Sequence, residues 1–367
     1  MKLKRLGLKN YRNCTNIELE FPTKKTLIIG KNAQGKTNIL ESIYFLSDLK
    51  SPRTSTINDL IKFGEPKFEI RAEILKNDTD IELDYFYTSE KKRELKINKV
   101  KTTPKNFKLV VKTVLFSTKD LLLVRGTPED RRNWLDRAIS QIYPAYDERI
   151  SKYDKIRIQK NNLLKNEIID EALLDIYNEQ LVITGANIIY LRKKFLKEIE
   201  KIASLKHKLI SEEENFTLNY TCPKSEVEEI ADFLREELTK RRQEEFGRRQ
   251  ACVGPHRDDI ELKINGIDAT KFASQGQQRT LVLSLKLSEL EIIKEKTGFY
   301  PILLLDDVLA ELDDLRQNYL LKSIDKNTQT IITSVDTLLF EQEFLKDVTI
   351  YNIESGAISA PSTRAGG

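Results

Sequence analysis

The stretch Gly30-Lys31-Asn32-Ala33-Gln34-Gly35-Lys36-Thr37 decides how this chain is read. It fits G-x-x-x-x-G-K-[ST], a loop whose backbone N–H groups converge on phosphate oxygens because glycines keep side chains out of the way. The run Thr26 to Ile29 before it reads as a short buried strand. A helix from about Lys36 to Ser47 follows, with Leu40, Ile43, Tyr44 and Phe45 on its apolar side. In that strand–loop–helix setting Lys36 would neutralise the β and γ phosphates of ATP and Thr37 would ligate Mg2+, whereas a chance glycine turn needs no such context.

Two further segments carry the same chemistry. Ile302-Leu303-Leu304-Leu305-Asp306-Asp307 is an apolar strand ending in two carboxylates. Asp306 is placed to hold the metal and Asp307 to orient an attacking water; the plainer reading is a buried strand ending in a solvated acidic turn. Ala273-Ser274-Gln275-Gly276-Gln277-Gln278-Arg279 precedes a helix expected from about Gln277 to Lys296. A helix N-terminus with Ser and Gly can hold an anion. The same residues also make an ordinary capping box, Ser274 with Gln277.

The remaining chain is organised around these segments. Strands are expected at Lys2–Leu8, Ile17–Phe21, Phe68–Ile74, Ile81–Tyr87 and Thr330–Thr333. From Glu129 to about Arg249 the sequence is dense in charge and mostly helical, with Leu191, Phe195, Ile199 and Ile202 at helical spacing, and reads as an arm of a few antiparallel helices broken at Pro144, Gly185 and Thr221–Pro223. Asp259–Ile264, Asn265-Gly266 and Ile267–Phe272 read as a hairpin with a type I′ turn. The expected fold class is α/β, with residues 1–128 and 251–355 forming one head, 129–250 an inserted arm, and 356–367 a flexible tail. At 367 residues, a globular body plus an insertion fits better than one domain.

Composition narrows the classes. A formal net charge of +4 is too small to steer nucleic acid as a whole-molecule field, so DNA binding would need a local patch. Cys14, Cys222 and Cys252 are isolated, which suits a reducing cytoplasm. No segment reads as a signal peptide or a membrane span. His207 and His256 are too far apart in sequence to suggest a histidine zinc site.

Together the phosphate loop, the Ser274–Gln278 segment and the acidic strand resemble the ABC ATPase family, and among its SMC-like heads the RecF family. The likeness runs to about Ile353. It rests on Leu8–Asn13, Asn32–Glu41, Ser51-Pro52-Arg53, Leu123–Gly126, Arg131-Arg132, Val253–Asp259, Ser274–Arg279 and Leu305–Asp307 through Glu311-Leu312-Asp313. The resemblance implies an ABC-type phosphate-loop ATPase head, a mixed sheet with flanking helices, carrying an inserted helical arm. It further implies that Ser274, Gln275, Gly276, Gln277 and, through the D-loop Ala310–Asp313, Asp313 contact ATP held by a second subunit. Leu115–Asp120 would be the loop ahead of the insertion, and Thr333-Ser334 the switch position. Leu115–Asp120 lacks the family's usual glutamine, no histidine follows the last strand, and Asp307 stands where a glutamate is usual, which argues for slow hydrolysis. The implied function is that of an ATP-dependent homodimer that binds double-stranded and gapped DNA in recombination, replication and the SOS damage response, and helps load RecA with RecO and RecR. A membrane transporter's ATPase subunit is the alternative; there the signature usually lies much nearer the phosphate loop than Ser274 lies to Lys36.

Three other features carry alternatives. Arg53 either reaches the phosphates from its own chain or is a surface residue. His256-Arg257-Asp258-Asp259 reads as an ion-paired turn or, less simply, a metal or catalytic cluster. Lys91, Lys92, Arg93, Lys96, Lys99, Lys101, Lys105, Lys108 and Lys112 stand against one acid, Glu94. That stretch is either a DNA-backbone patch or a solvated lysine-rich hairpin that resists edge pairing. Arg192–Lys194 and Lys240–Arg242 are weaker basic candidates.

Overall fold

A computed structural model describes residues 1–211, 213–338, 340–342, 344–359 and 362–363. The chain forms two units, residues 1–120 with 289–367 and residues 121–288. The first unit opens with the antiparallel strands β1 (Lys2–Tyr11) and β2 (Cys14–Glu20), after which β3 (Lys25–Ile29) leaves for a different sheet. Helix α1 (Lys36–Asp48) follows the phosphate loop. Strands β4 (Lys67–Lys76), β5 (Thr79–Thr88), β6 (Arg93–Ile97) and β7 (Val100–Lys101) complete a six-stranded antiparallel sheet of order β2-β1-β4-β5-β6-β7. The short helix α2 (Pro104–Lys108) then leads to β8 (Thr113–Ser117).

The sequence suggested one apolar side for α1, but eleven of its thirteen residues are buried. The reason is that α1 shares one core with both sheets. Phe45 meets Tyr85 edge-on at 4.8 Å and Phe68 at 6.4 Å, while Ile39, Leu40 and Ile43 cluster with Leu304 and Ile331. Truncating a ring such as Phe45 to alanine should cost about 3–5 kcal/mol.

The second unit is mostly helical: α3 (Leu122–Arg125), α4 (Pro128–Ile142), α5 (Ala145–Leu163) and the 40-residue α6 (Glu171–Ile210). Gly185 does not break α6. A Cβ there would lie 3.1 Å from Pro255 and 3.3 Å from Tyr153, so the glycine serves close packing. Strand β9 (Phe216–Tyr220) interrupts the helices α6 and α7 (Val227–Lys240), and α8 (Arg242–Arg248) follows. Strand β9 pairs antiparallel with β10 (Ile260–Ile264), so the residues beyond 250 expected in the head belong, as far as Ser288, to the same unit as the arm. Asn265 and Gly266 both take positive φ, as a type I′ turn requires. The returning strand β11 (Ile267–Asp268) is only two residues long, because Asp268 caps helix α9 (Ala269–Phe272), its side chain accepting from Thr270 N. Helix α10 (Gln275–Thr297) returns the chain to the first unit.

There β12 (Ile302–Asp306), α11 (Asp314–Ser323), β13 (Thr330–Ser334) and β14 (Val348–Glu354) follow. Strands β14, β3, β13, β12 and β8 run parallel in that order. The strands β15 (Ala357–Ile358) and β16 (Ser362–Thr363) pair antiparallel with β14. Of the tail expected to be flexible from residue 356, residues 357–358 and 362–363 are paired with β14 and Gly356 is buried, the turn Ser355-Gly356, both at positive φ, folding it back; residues 360–361 and 364–367 lie outside the described residues. Buried Gln329 ties the two sheets together, donating to Leu3 O and accepting from Leu3 N. No helix among the described residues is long and apolar enough to cross a membrane.

Candidate functional site: the phosphate-loop cleft

Strand β3 delivers Gly30 between β13 and β14. A Cβ at Gly30 would lie 2.5 Å from Ile353 O, and one at Gly35, whose φ is +112°, would lie 2.9 Å from Asn13 Oδ1. Only glycine fits either position. Gln34 O accepts from Asn13 Nδ2 and Gly356 N, and Ser355 N donates to Gln34 Oε1, so the loop is fixed from both ends of the chain. No side chain caps α1, whose N-terminal amides are the positive end of its dipole and suit an anion.

The cleft measures about 610 Å3 and brings together Lys36, Thr37, Arg53, Asp306, Asp307 and the backbone of Asn32–Gly35. Lys36 is buried and curls back, donating to Gly30 O at 2.7 Å and Lys31 O at 3.3 Å, with Asp307 Oδ2 at 3.9 Å. Thr37 Oγ1 donates to Asp306 Oδ1 at 2.9 Å, and Thr333 Oγ1 donates to the same oxygen at 3.0 Å. Burial, with Asp307 beside it, holds the Asp306 carboxyl above the usual range, against the downward pull of the two hydroxyls and Arg53. A cation at that carboxylate would act in the same downward sense. The donor set, one hydroxyl and one carboxylate, therefore fits a Mg2+ ion that takes its other ligands from phosphates and water. Among the described residues no group of three or more His, Cys, Asp or Glu forms an all-protein metal cage. Asp307 adopts φ 50°, fixed by its N–H donating to Thr333 Oγ1, and its half-exposed carboxylate faces the cleft.

Arg53 lines the cleft, held by Asn38 Oδ1 at 2.6 Å and Glu41 at 3.4 Å. Glu41 is a fully buried carboxylate. It accepts from Arg12 Nε and Nη2 at 2.9 and 2.7 Å and from Ser51 Oγ at 2.5 Å. Burial opposes the Arg12 charge, but the bonds and charge of Glu41 raise its pKa above the ordinary value. Sequence reasoning did not single out Asn13, Asn38 or Glu41 as cleft residues, although all lie inside the stretches Leu8–Asn13 and Asn32–Glu41. Ser117, Thr118 and Lys119 also line the cleft, from the loop that lacks a glutamine.

Ser274 and Gln277 form a capping box within the chain, Ser274 N donating to Gln277 Oε1 at 2.8 Å and Gln277 N to Ser274 Oγ at 3.2 Å. Gln277 also donates to Glu214. Gln275 and Gly276 begin α10. Asp313 caps α11, accepting from Arg316 N. His256-Arg257-Asp258-Asp259 is a hydrogen-bonded turn. His256 Nε2 lies 3.1 Å from Ala251 O and Nδ1 2.7 Å from Tyr153 OH. Arg257 donates to Ala251 O, Asp258 accepts from Tyr220 OH, and Asp259 pairs with Arg131 through two bonds of 2.7 and 2.8 Å. Buried Arg192 grips Asp136 twice and donates to Tyr220 OH and Pro255 O. The basic stretch runs from the turn at Lys91 and Lys92 through β6, which begins at Arg93, and β7 into α2, which carries Lys105 and Lys108, with Lys112 buried ahead of β8. Of its residues, Lys92, Lys96, Lys99 and Lys101 each have a carboxylate within 4 Å, from Glu90, Glu94, Glu82 and Glu94 respectively.

Known proteins resemble this chain along nearly its whole length. The family described as RecF/RecN/SMC N terminal domain matches residues 2–359. The chain is 39% identical over 372 residues to the DNA replication and repair protein RecF of Geobacillus sp. (strain WCH70), covering 98% of this chain and 99% of that one. It is 38% identical over 369 residues to RecF of Bacillus subtilis (strain 168), covering 98% and 100%. A solved structure of the recombination mediator protein RecF with ATP in the RecFOR pathway superposes with a TM-score of 0.89 at 35% identity, covering 97% of this chain and 96% of that one. An SMC head bound to the C-terminal winged-helix domain of ScpA shares the fold at 14% identity and a TM-score of 0.59 over 99% and 98%. The glycine-bound loop, the Thr37–Asp306 pair and these full-length likenesses converge: the chain is an ABC-type phosphate-loop ATPase head with an inserted helical arm and belongs to the RecF family.

Proposed function

We propose that this chain is a cytoplasmic, ATP-dependent DNA-binding protein of recombinational repair and replication restart, and a weak, DNA-stimulated ATPase that acts as a switch. The observation that carries the reading is the Thr37–Asp306 pair beside buried Lys36 in one cleft. The loop amides and Lys36 bind the β and γ phosphates; Lys36 leaves the carbonyls of Gly30 and Lys31 to do so. Thr37 and Asp306 hold Mg2+, which supplies charge neutralisation to the transferring phosphoryl group. Asp307 accepts a hydrogen bond from the attacking water, and Arg53 adds positive charge in cis. Ser274, Gln275, Gly276, Gln277 and Asp313 contact ATP bound by a second copy, so that ATP assembles the dimer on gapped or junction DNA and slow hydrolysis releases it. RecO and RecR join it in loading RecA, as the RecFOR pathway named for its structural relative suggests. Likeness to RecF over nearly the whole chain gives no support to the transporter-subunit alternative.

Ser274→Arg separates a shared ATP site from a plain helix cap. As a cap alone, its loss costs roughly 1 kcal/mol and spares assembly. As a contact in trans, the arginine blocks closure, so ATP still binds through Lys36 while light scattering shows no ATP-dependent dimer. Mixing it with Lys36→Ala protein, itself unable to bind ATP, restores one composite site and part of the dimer. A normal ATP-dependent dimer from Ser274→Arg alone would reject the shared site.

A further inference from the structure

Helix α6 presents a different basic surface. Lys194, Lys197, Lys201 and Lys208 are all exposed. At 100° per residue they fall within about 60° of one another around the helix, a single stripe. From Lys194 to Lys208 the stripe is about 21 Å long. None of the four has an ion-pair partner among the described residues, in contrast to Lys92, Lys96, Lys99 and Lys101.

The acids nearby are committed. Glu200 accepts from Leu218 N at 2.9 Å, and with Ser204 donating to Phe216 O it satisfies the strand edge of β9. Glu226 sits in the capping box of α7. Glu198, at the margin of the stripe, is half-buried and already partnered. Beside the stripe lies a groove of about 520 Å3 lined by Tyr190, Lys193, Lys194, Lys197, Asn219 and Ser225. Lys193 closes one wall, donating to Cys222 O and Lys224 O.

We infer that this stripe of α6 is a contact for the phosphate backbone of DNA. The inference rests on the DNA-binding reading above and moves the contact from the hairpin to the arm. Lysines without carboxylate partners attract polyanions undiminished, whereas a lysine already in an ion pair must give up its carboxylate to bind a phosphate. The occupant is nucleic acid because its charge density suits the stripe: 21 Å of duplex axis carries about twelve phosphate charges. Recognition is sequence-independent, since lysine stems reach phosphates as point charges and the stripe offers no planar fork for base edges.

The test uses the full-length protein with ATP, Mg2+ and a fluorescent gapped duplex, with affinity measured by anisotropy from 50 to 200 mM salt. Lys194→Ala/Lys197→Ala/Lys201→Ala keeps helix propensity, and far-ultraviolet circular dichroism with ATP titration checks that fold and nucleotide site are intact. Three lost contacts should make the log-affinity against log-salt slope shallower by about 2.7, so that salt weakens the variant about 40-fold less than the wild type over that range. The matching glutamate triple should bind more weakly still. Lys96→Glu/Lys99→Glu/Lys101→Glu serves as comparator and should lose less. An unchanged slope in the α6 variant, with wild-type DNA binding intact, would overturn this inference alone and leave the stripe to an acidic protein partner. Wild-type protein that shows no salt-dependent DNA binding would overturn both this inference and the DNA-binding reading beneath it.

Discussion

Glu41→Gln isolates the buried charge that underlies the nucleotide cleft. The substitution keeps volume and one acceptor oxygen but removes the negative charge that Arg12 grips through two bonds of 2.9 and 2.7 Å. Breaking a buried ion pair from one side costs about 3–5 kcal/mol. The lower end applies here: the Arg12 side chain is 18% exposed and keeps its bond to Asp59 O. The loss should therefore be about 3 kcal/mol. For a unit of this size m is about 2–3 kcal/mol per M urea, so the midpoint should fall by about 1–1.5 M. Lys36 and the loop glycines are untouched, so nucleotide should still bind and raise the midpoint of the variant. Adding Arg12→Gln to the variant should cost much less than Arg12→Gln costs alone, since the pair is already broken. A midpoint shift below about 0.4 M would refute the view that this pair is a structural charge under the cleft.

Two further outcomes can be checked directly. Asp307→Asn should keep ATP and Mg2+ binding, because Asp306 and Thr37 remain, but slow single-turnover hydrolysis by at least tenfold; hydrolysis at the wild-type rate would assign the water to another residue. Burial, followed by Arg157, Arg257 and Arg132 nearby, pushes His256 down to about 3 from an ordinary 6.5. The folded state then holds it neutral while the unfolded chain protonates below about 6.5. Its contribution is complete above pH 6.5 and is lost as pH falls from there toward 3, by up to about 5 kcal/mol. His256→Gln should flatten urea midpoints across that window, and an unaltered pH dependence would count against a buried neutral imidazole.

The phosphate-loop cleft was legible because its chemistry is written in contiguous stretches of fixed spacing. Gly30 through Thr37 and the Leu305-Asp306-Asp307 strand end each carry their structural context beside them. What remained hidden depends on residues distant in sequence. The cleft roles of Asn13 and Glu41 exist only once the turn after β1 packs on α1. The basic stretch looked nearly unopposed because Glu82 and Glu90 lie outside it, and cross-strand register brings Glu82 to Lys99. Gly185 resembled a helix break, but what it accommodates is Tyr153 and Pro255 against the helix. Strand β9 is five residues long in a charged helical context, and only its pairing with β10 reveals it. The Ser355-Gly356 turn looked like the start of a polar tail because its partner, Gln34, sits more than 300 residues earlier.

The sheet order has a consequence for synthesis. Strand β3, which carries the phosphate loop, has both its neighbours, β13 and β14, among residues 330–354. On the ribosome the loop emerges about 300 residues ahead of the strands that fix its backbone, an interval of roughly 15–60 s at ordinary elongation rates. A nascent chain truncated before Thr330 therefore lacks both strands that flank Gly30, although its Lys36 and Thr37 are already present. The loop sequence is thus complete long before the sheet that holds its backbone in place.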